Sequence, residues 1–414
     1  MRNTDMHPRA FRQVVVAAAV AAVCVLGVSF AGMWIWGTVQ VLRALPEGAS
    51  VANDGSVFWA AARLAIASDW LAPFDAERLA AARALAPDQT QPIMLWLYPP
   101  GYLALTAPFG ALGFYAAWAV TAGLSLAALI GAFAMFRSLG AWQSGAIVLA
   151  PAVVVCLAQG QNSVFFAAAL VVFIETWRRQ WVWLAALALV VLSLKPQLGV
   201  AIAVVLLATG AWGVIGRAVL CVAMMVVATL IYPGGAYWSA WLEAVQHAGD
   251  VTLASGLGRL LISPLGLGLA FGWDRTAALV LQALVSGLVL VVLARTWRQA
   301  AVSHDTKVAA LSLAILLVTP YVVYYELVFA LVAAVYLMGA PGTVGQGQGN
   351  GQGQGQGQGQ EHGQGEGFAL VLWVLPVAAH FLGGVIGYGV VAPVLLVIFL
   401  AVCRRGHAVA GVSS

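Results

Sequence analysis

The sequence predicts an all-α polytopic membrane protein with about twelve transmembrane helices and a long first extracytoplasmic loop that carries interfacial helices. Three observations lead there. Hydrophobic residues fill 62% of the 414 positions and charged residues only 8%, too few charges to coat a water-soluble fold of this length. The apolar residues come as runs separated by short polar stretches. Lys and Arg collect on one set of those stretches, as cytoplasmic loops do. The distribution of the formal net charge of +4 therefore matters more than the sum, and it suits contact with anionic membrane lipids. No basic stripe with interleaved aromatics points to nucleic acid. Cys24, Cys156, Cys221 and Cys403 are scattered in or beside apolar runs. They read as small buried hydrophobes, with neither the pairing of a disulfide frame nor the clustering of a metal site.

The elements follow in order. Arg2, Arg9 and Arg12 precede an apolar run over 14–36, close to the ~20 residues a bilayer needs. The run ends in Trp34, Trp36 and Gly37 rather than in a small-x-small cleavage site, so it reads as a retained first helix with a cytoplasmic N-terminus. The stretch 40–100 follows, the sizeable loop with balanced charge: Arg43, Glu47, Asp54, Arg63, Asp69, Asp75, Glu77, Arg78, Arg83 and Asp88. Within it 57–66 has helical character, and 76–85 reads as a short amphipathic helix after Pro73, suited to the interface plane. After Tyr98-Pro99-Pro100, the run 102–112 is bounded by Pro108 and reads as a partial element, and 114–136 spans to Arg137. Segment 144–158 goes out to Gln159-Gly160-Gln161-Asn162, and 164–177 returns to Arg178-Arg179. Segment 181–194 goes out to Lys195-Pro196-Gln197, and 198–214 returns to Arg217. Segment 218–232 leads to a loop at 233–256 with Glu243, His247 and Asp250. After a partial element at 257–272, 276–294 returns to Arg295 and Arg298. Segment 308–319 goes out to Thr319-Pro320-Tyr321 and 323–339 returns. The Gln/Gly tract at 345–367 has nothing to bury and high backbone entropy, the composition of a flexible cytoplasmic linker. Two last segments, 368–384 and 387–403, end at Arg404-Arg405 in the cytoplasm. The chain thus divides into a transmembrane domain at 1–340, a linker at 341–367 and a C-terminal helix pair at 368–414.

This threading puts five polar motifs on one membrane face. A transport path would bury its polar groups at mid-membrane, whereas a face-located active site collects them at helix ends. Asp54 stands before Phe58-Trp59-Ala60-Ala61. It serves either as a helix N-cap or as a partly desolvated base. Lys195 stands against the charge bias, either snorkelling to the interface or holding an anion. Gln159, Gln161 and Asn162 around Gly160 offer neutral donors and acceptors suited to sugar hydroxyls. Tyr98-Pro99-Pro100 makes a rigid extended turn. Glu326, just inside a span after Tyr324-Tyr325, costs roughly 2.5–3.5 kcal/mol at the bilayer centre, which argues for a wet cavity.

The order Asp54…Phe58-Trp59-Ala60-Ala61, Tyr98-Pro99-Pro100, Gly160-Gln161-Asn162, Leu194-Lys195-Pro196 and Thr319-Pro320-Tyr321 resembles glycosyltransferase family 87. The resemblance implies a GT-C-like membrane enzyme at the cell membrane. It would use a polyprenyl-phosphate-linked hexose, mannose-like, and a lipid or glycan acceptor on the extracytoplasmic face. Asp54 would be the catalytic base. Lys195, with Arg63 or Arg259, would meet the donor phosphate. Tyr98, Gln159, Gln161, Asn162, Gln197, Tyr325 and Glu326 would position sugar and acceptor. A single carboxylate base with direct displacement implies inversion at the anomeric carbon. No Asp-x-Asp pair is present, so no metal or other cofactor is expected. The alternative is a secondary transporter or lipid-linked-sugar flippase, although no convincing internal repeat is apparent.

Overall fold

A computed structural model describes residues 21, 25–36, 53–86, 96–137, 139–254, 256–338 and 355–412. The N-terminal arginines, Arg43, Glu47, Asp88 and the first half of the Gln/Gly tract lie outside the described residues. The described chain is all-helical, with no strand beyond an isolated bridge between Leu261 and Val323.

After α1 (Val25–Trp36) come two helices of the expected first loop, α2 (Asn53–Ile66) and α3 (Ala76–Arg83). Asp75 caps α3 by accepting the backbone N–H groups of Glu77 and Arg78. Then follow α4 (Pro100–Thr106), α5 (Phe114–Arg137), α6 (Ala141–Val148) and α7 (Pro151–Ala158). The last two are bent 46° apart, because Pro151 has no N–H to continue the ladder and forces Ala150 into extended backbone. The chain continues through α8 (Ser163–Arg178), α9 (Val182–Ser193), α10 (Gly199–Ala208), α11 (Trp212–Thr229), α12 (Gly235–Ala254) and α13 (Pro264–Ala270). It closes with α14 (Arg275–Arg298), α15 (His304–Val318), α16 (Val328–Leu337), α17 (Gly355–Val385) and α18 (Val391–Val412).

Among the described residues, five helices are long and apolar enough to cross a membrane, or six if the bent pair α6–α7 is one span. Several segments expected as spans are shorter helices, namely α1, α9, α10 with its 3-10 lead-in, and α16 with its own. Two boundaries differ from expectation. The stretch 233–256, expected as a loop, is the helix α12: Pro233 and Gly234 break the ladder, but alanine, tryptophan and leucine resume it. Arg217, expected at a turn, lies inside α11, and the turn is at 209–211, where Gly210 adopts φ +64°.

The core is built by α8, α15 and α16, which away from their charged ends are apolar on every side and buried. Around them α5 and α14 keep large apolar side chains exposed, Leu124, Met135 and Leu284 among them, as lipid-facing helices do. The C-terminal half of the Gln/Gly tract, from Gly355, forms the first turns of α17.

Polar groups separate to the two ends of this bundle. At one end the fully buried Glu175 of α8 accepts from Arg178 (2.9 Å), Arg179 and Tyr336 Oη (2.8 Å), with His304 Nε2 at 3.3 Å. Beside it Arg137 pairs with Asp305 at 2.6 Å and lies over the Tyr336 ring. This cluster ties α5, α8, α15 and α16 together at their arginine-rich end. The opposite ends of the same helices carry the motifs singled out in the sequence.

Candidate active site

The turn from α7 to α8 shows how local sequence makes the site. Helix α7 ends in a Schellman arrangement, with Gly160 N donating to Leu157 O at 3.0 Å and Gln161 N to Cys156 O at 2.9 Å. That closure needs a left-handed residue, and Gly160 supplies it at φ +70°. The chain reverses within Gln159-Gly160-Gln161-Asn162 and buries the Gln161 and Asn162 amides. Gly160→Ala is therefore expected to cost about 1 kcal/mol or somewhat more, read as a lower unfolding midpoint with the helical signal preserved. An unchanged midpoint would mean that the turn relaxes freely.

Onto this turn docks α2, where Gly55 N donates to Gln159 O at 3.2 Å. Asp54 sits in the first turn of that helix, not before it. Its Oδ2 accepts from Gln161 Nε2 at 2.6 Å. Asn162 is used on all sides: its Nδ2 donates to Tyr98 Oη (2.9 Å) and Tyr102 Oη (2.8 Å), and its Oδ1 faces Lys195 Nζ at 3.4 Å. The tyrosine rings stack 4.3 Å apart, because Pro99 and Pro100 start α4 directly after Tyr98 and bring Tyr102 round one turn later. Lys195 Nζ also donates to Ser163 Oγ at 3.2 Å and pairs with Glu326 Oε1 at 2.5 Å. Glu326 Oε2 accepts the Val323 N–H at 3.0 Å, which opens the 3-10 turn before α16. Lys195 and Glu326 are 3% and 2% exposed, so their pairing answers the cost each charge incurs by burial.

Asp54 is partly buried between the expected spans. Desolvation raises its carboxyl above the usual carboxylate range, opposed by the Gln161 hydrogen bond and by the charges of Arg83 and then Lys195. Arg83 is the residue that sequence reasoning missed as a site group. It is buried, and its Nε donates to Ser56 Oγ at 3.1 Å, two residues from Asp54. Its signal was present: Leu79, Ala82 and Arg83 share the buried face of α3, and an arginine on an apolar stripe is out of place on a merely solvated helix. Tyr102 and Ser163 were missed because each stands in an apolar run.

Of the remaining residues singled out, Tyr325 has its ring 6.0 Å from Lys195 Nζ, and Gln159 hydrogen-bonds Tyr324. Three stand apart from the network. Arg63 is exposed and lies over the Trp59 ring, Arg259 is exposed on a 3-10 turn, and Gln197 is exposed, using its carbonyl to hold Thr319 Oγ1.

Beside the network lies a cavity of about 200 Å³ between α2, α4 and α5. Phe58, Trp59, Leu105, Phe109, Trp118 and Leu124 give it apolar walls, and Gly160, Gln161 and Asn162 form its polar end. Trp118 is held there by its indole N–H, which donates to Leu157 O at 2.8 Å. The arrangement offers a desolvated carboxylate, two buried cations, hydroxyl-binding amides and an apolar recess. That is the inventory needed to move a proton from a hydroxyl beside a lipid.

No curated protein and no solved structure matches the chain. The sequence model of glycosyltransferase family 87 matches residues 96–323, which takes in Tyr98, Tyr102, Gln159–Asn162 and Lys195, begins after Asp54 and ends before Tyr324. The match spans more than half of the sequence, and with the apolar helices around the site it gives the conclusion: this chain is a membrane glycosyltransferase belonging to glycosyltransferase family 87.

Proposed function

We propose that the chain transfers a mannose-like hexose from a polyprenyl-phosphate donor to an acceptor hydroxyl at the extracytoplasmic face of the cell membrane, with inversion. The observation that carries this is the Asp54 carboxylate, gripped by Gln161, which lines the polar end of an apolar cavity, and held in the field of Arg83 and Lys195. Asp54 takes the proton as the acceptor O–H bond breaks. The acceptor oxygen forms its bond to the anomeric carbon, and the bond from that carbon to the phosphate oxygen breaks. Polyprenyl phosphate leaves with the electron pair. Its growing negative charge is met by the field of Arg83 and Lys195, preorganised in a dry site where such charges act strongly. Asn162, Tyr98 and Tyr325 bound the space in which the hexose lies.

In this reading both termini are cytoplasmic and the short helices complete about twelve crossings, tilted or paired where they fall short of bilayer length. The arginine-rich end then lies at the cytoplasmic surface. A transporter is not favoured, because the charged groups of the two buried clusters, Asp54, Arg83, Lys195 and Glu326 on one side and Glu175, Arg137 and Asp305 on the other, sit at or near helix ends. The test is stereochemical. Purified protein in lipid vesicles, given a β-linked polyprenyl-phosphate hexose, is expected to form an α-linked product. A β-linked product would require a second nucleophile and overturn direct displacement by an Asp54-activated hydroxyl.

A further inference from the structure

The last two helices lie beyond residues 96–323, the stretch that the family model matches, yet they reach the site. Helix α17 packs against α7, α16 and the 3-10 turn Tyr324–Leu327 that carries Glu326, while α18 packs along the core helix α15. A second 3-10 turn, Tyr388–Val390, joins α17 to α18, and the side chain of Tyr388 is buried. Its ring stacks on that of Tyr324, with centroids 4.7 Å apart and planes 25° from parallel. Its hydroxyl lies 3.3 Å from His380 Nδ1 on α17.

The local backbone is shaped to put the ring there. Gly383 presents a bare Cα to it, since a Cβ at that position would lie 2.6 Å from the ring. Gly389 lets the turn meet α13 backbone to backbone, because a Cβ there would overlap the Gly266 carbonyl carbon. From Tyr324 the way to the base is short. The Tyr324 hydroxyl hydrogen-bonds the Gln159 side chain. The carbonyl of Gln159 in turn accepts the N–H of Gly55 at 3.2 Å, and Gly55 follows Asp54 in the first turn of α2.

Resting on Asp54 as the base, we infer that the C-terminal helix pair is a working part of the catalytic unit, with Tyr388 as a positioning residue. Its ring sets Tyr324, Tyr324 sets Gln159, and Gln159 fixes the turn of α2 that holds the Asp54 carboxylate. The effect falls on rate rather than on substrate capture. A catalytic group displaced by about 1 Å can lose on the order of 10²-fold in rate, while contacts made elsewhere to the substrate persist.

The test uses the full chain in lipid vesicles, with a synthetic polyprenyl-phosphate mannose as donor and an alkyl mannoside as acceptor. Tyr388→Leu removes the stacked ring and is expected to lower kcat about tenfold with KM within about twofold. Tyr388→Phe keeps the stack and is expected to retain kcat within about twofold. A double variant with Tyr324→Leu should be no slower than Tyr324→Leu alone, because both changes cut one path. Additive losses, or a change confined to KM, would overturn the inference. Amide hydrogen exchange reads the same path without any substrate. Exchange at Gly55 is expected to quicken about fivefold or more in Tyr388→Leu, and likewise in Tyr324→Phe, which loses only the hydroxyl that reaches Gln159. Wild-type exchange in both would overturn the path. So would an equal quickening in Leu395→Ala, a buried change elsewhere on α18, since Tyr388 would then give only general support. The base fails on a different result: undiminished transfer by Asp54→Asn would withdraw its role in catalysis, whatever exchange at Gly55 shows of the path from Tyr388.

Discussion

Asp54→Asn is expected to lower hexose transfer about 10²- to 10⁴-fold, the range that a positioned general base supplies, while leaving the protein at least as stable as the wild type at neutral pH. The two halves of this expectation have one cause. Burial raises the Asp54 carboxyl in the folded protein, so folding favours its protonated form. A carboxyl raised in this way contributes stability that is fully present below its unfolded value of about 3.9 and is lost as pH rises through the folded value. At neutral pH the ionised group works against the fold, and an isosteric amide removes the charge while its oxygen still accepts from Gln161 Nε2. The same shift sets the pH profile of the wild type. The base must be ionised, so kcat/KM falls with decreasing pH along a limb that lies above the ordinary carboxylate range. Initial transfer rates and thermal unfolding of both proteins across pH would decide. A marked loss of stability with little loss of activity would return Asp54 to a purely structural place in the first turn of α2.

Much of this site was legible because a polar side chain at the end of an apolar helix has few innocent reasons to be there. Lys195, Asn162 and Glu326 were singled out on that ground, and the fold places them in one hydrogen-bonded chain. Two things did not follow from sequence order. Lys195 and Glu326 are far apart in the chain, and nothing local says that the cation meant for a phosphate already faces a carboxylate. Arg83 looked like one more charge of a solvated amphipathic helix, and only its register with Leu79 and Ala82 told otherwise. Arg63 was named instead, because it follows the aromatic stretch of α2, yet it turns outward over Trp59. The helical class was plain from composition. Element ends were less so, since Pro233-Gly234 has the appearance of a loop but interrupts a helix that resumes at once. Glu175 was overlooked because Arg178 and Arg179 beside it look like surface charge at a helix end, although the carboxylate itself is fully buried.

Breaking the Lys195–Glu326 pair from either side is expected to cost about 3–5 kcal/mol, because each single change leaves a buried charge without its partner. Lys195→Met strands the Glu326 carboxylate and takes a donor from Ser163 and Asn162. Glu326→Leu strands the ammonium and frees the Val323 N–H that opens the turn before α16. The double variant carries no stranded charge, so most of the loss should return, and unfolding in detergent across the four proteins gives the coupling directly. Additive losses would mean that the two side chains do not depend on each other in the folded protein. The double variant then separates support of the fold from catalysis. If the ammonium did no more than neutralise Glu326, a refolded double variant would transfer hexose normally. In the mechanism proposed here it also contributes to the field that receives the leaving phosphate. The expectation is therefore a stable protein whose kcat falls along with kcat/KM, the pattern of an interaction made mainly in the transition state.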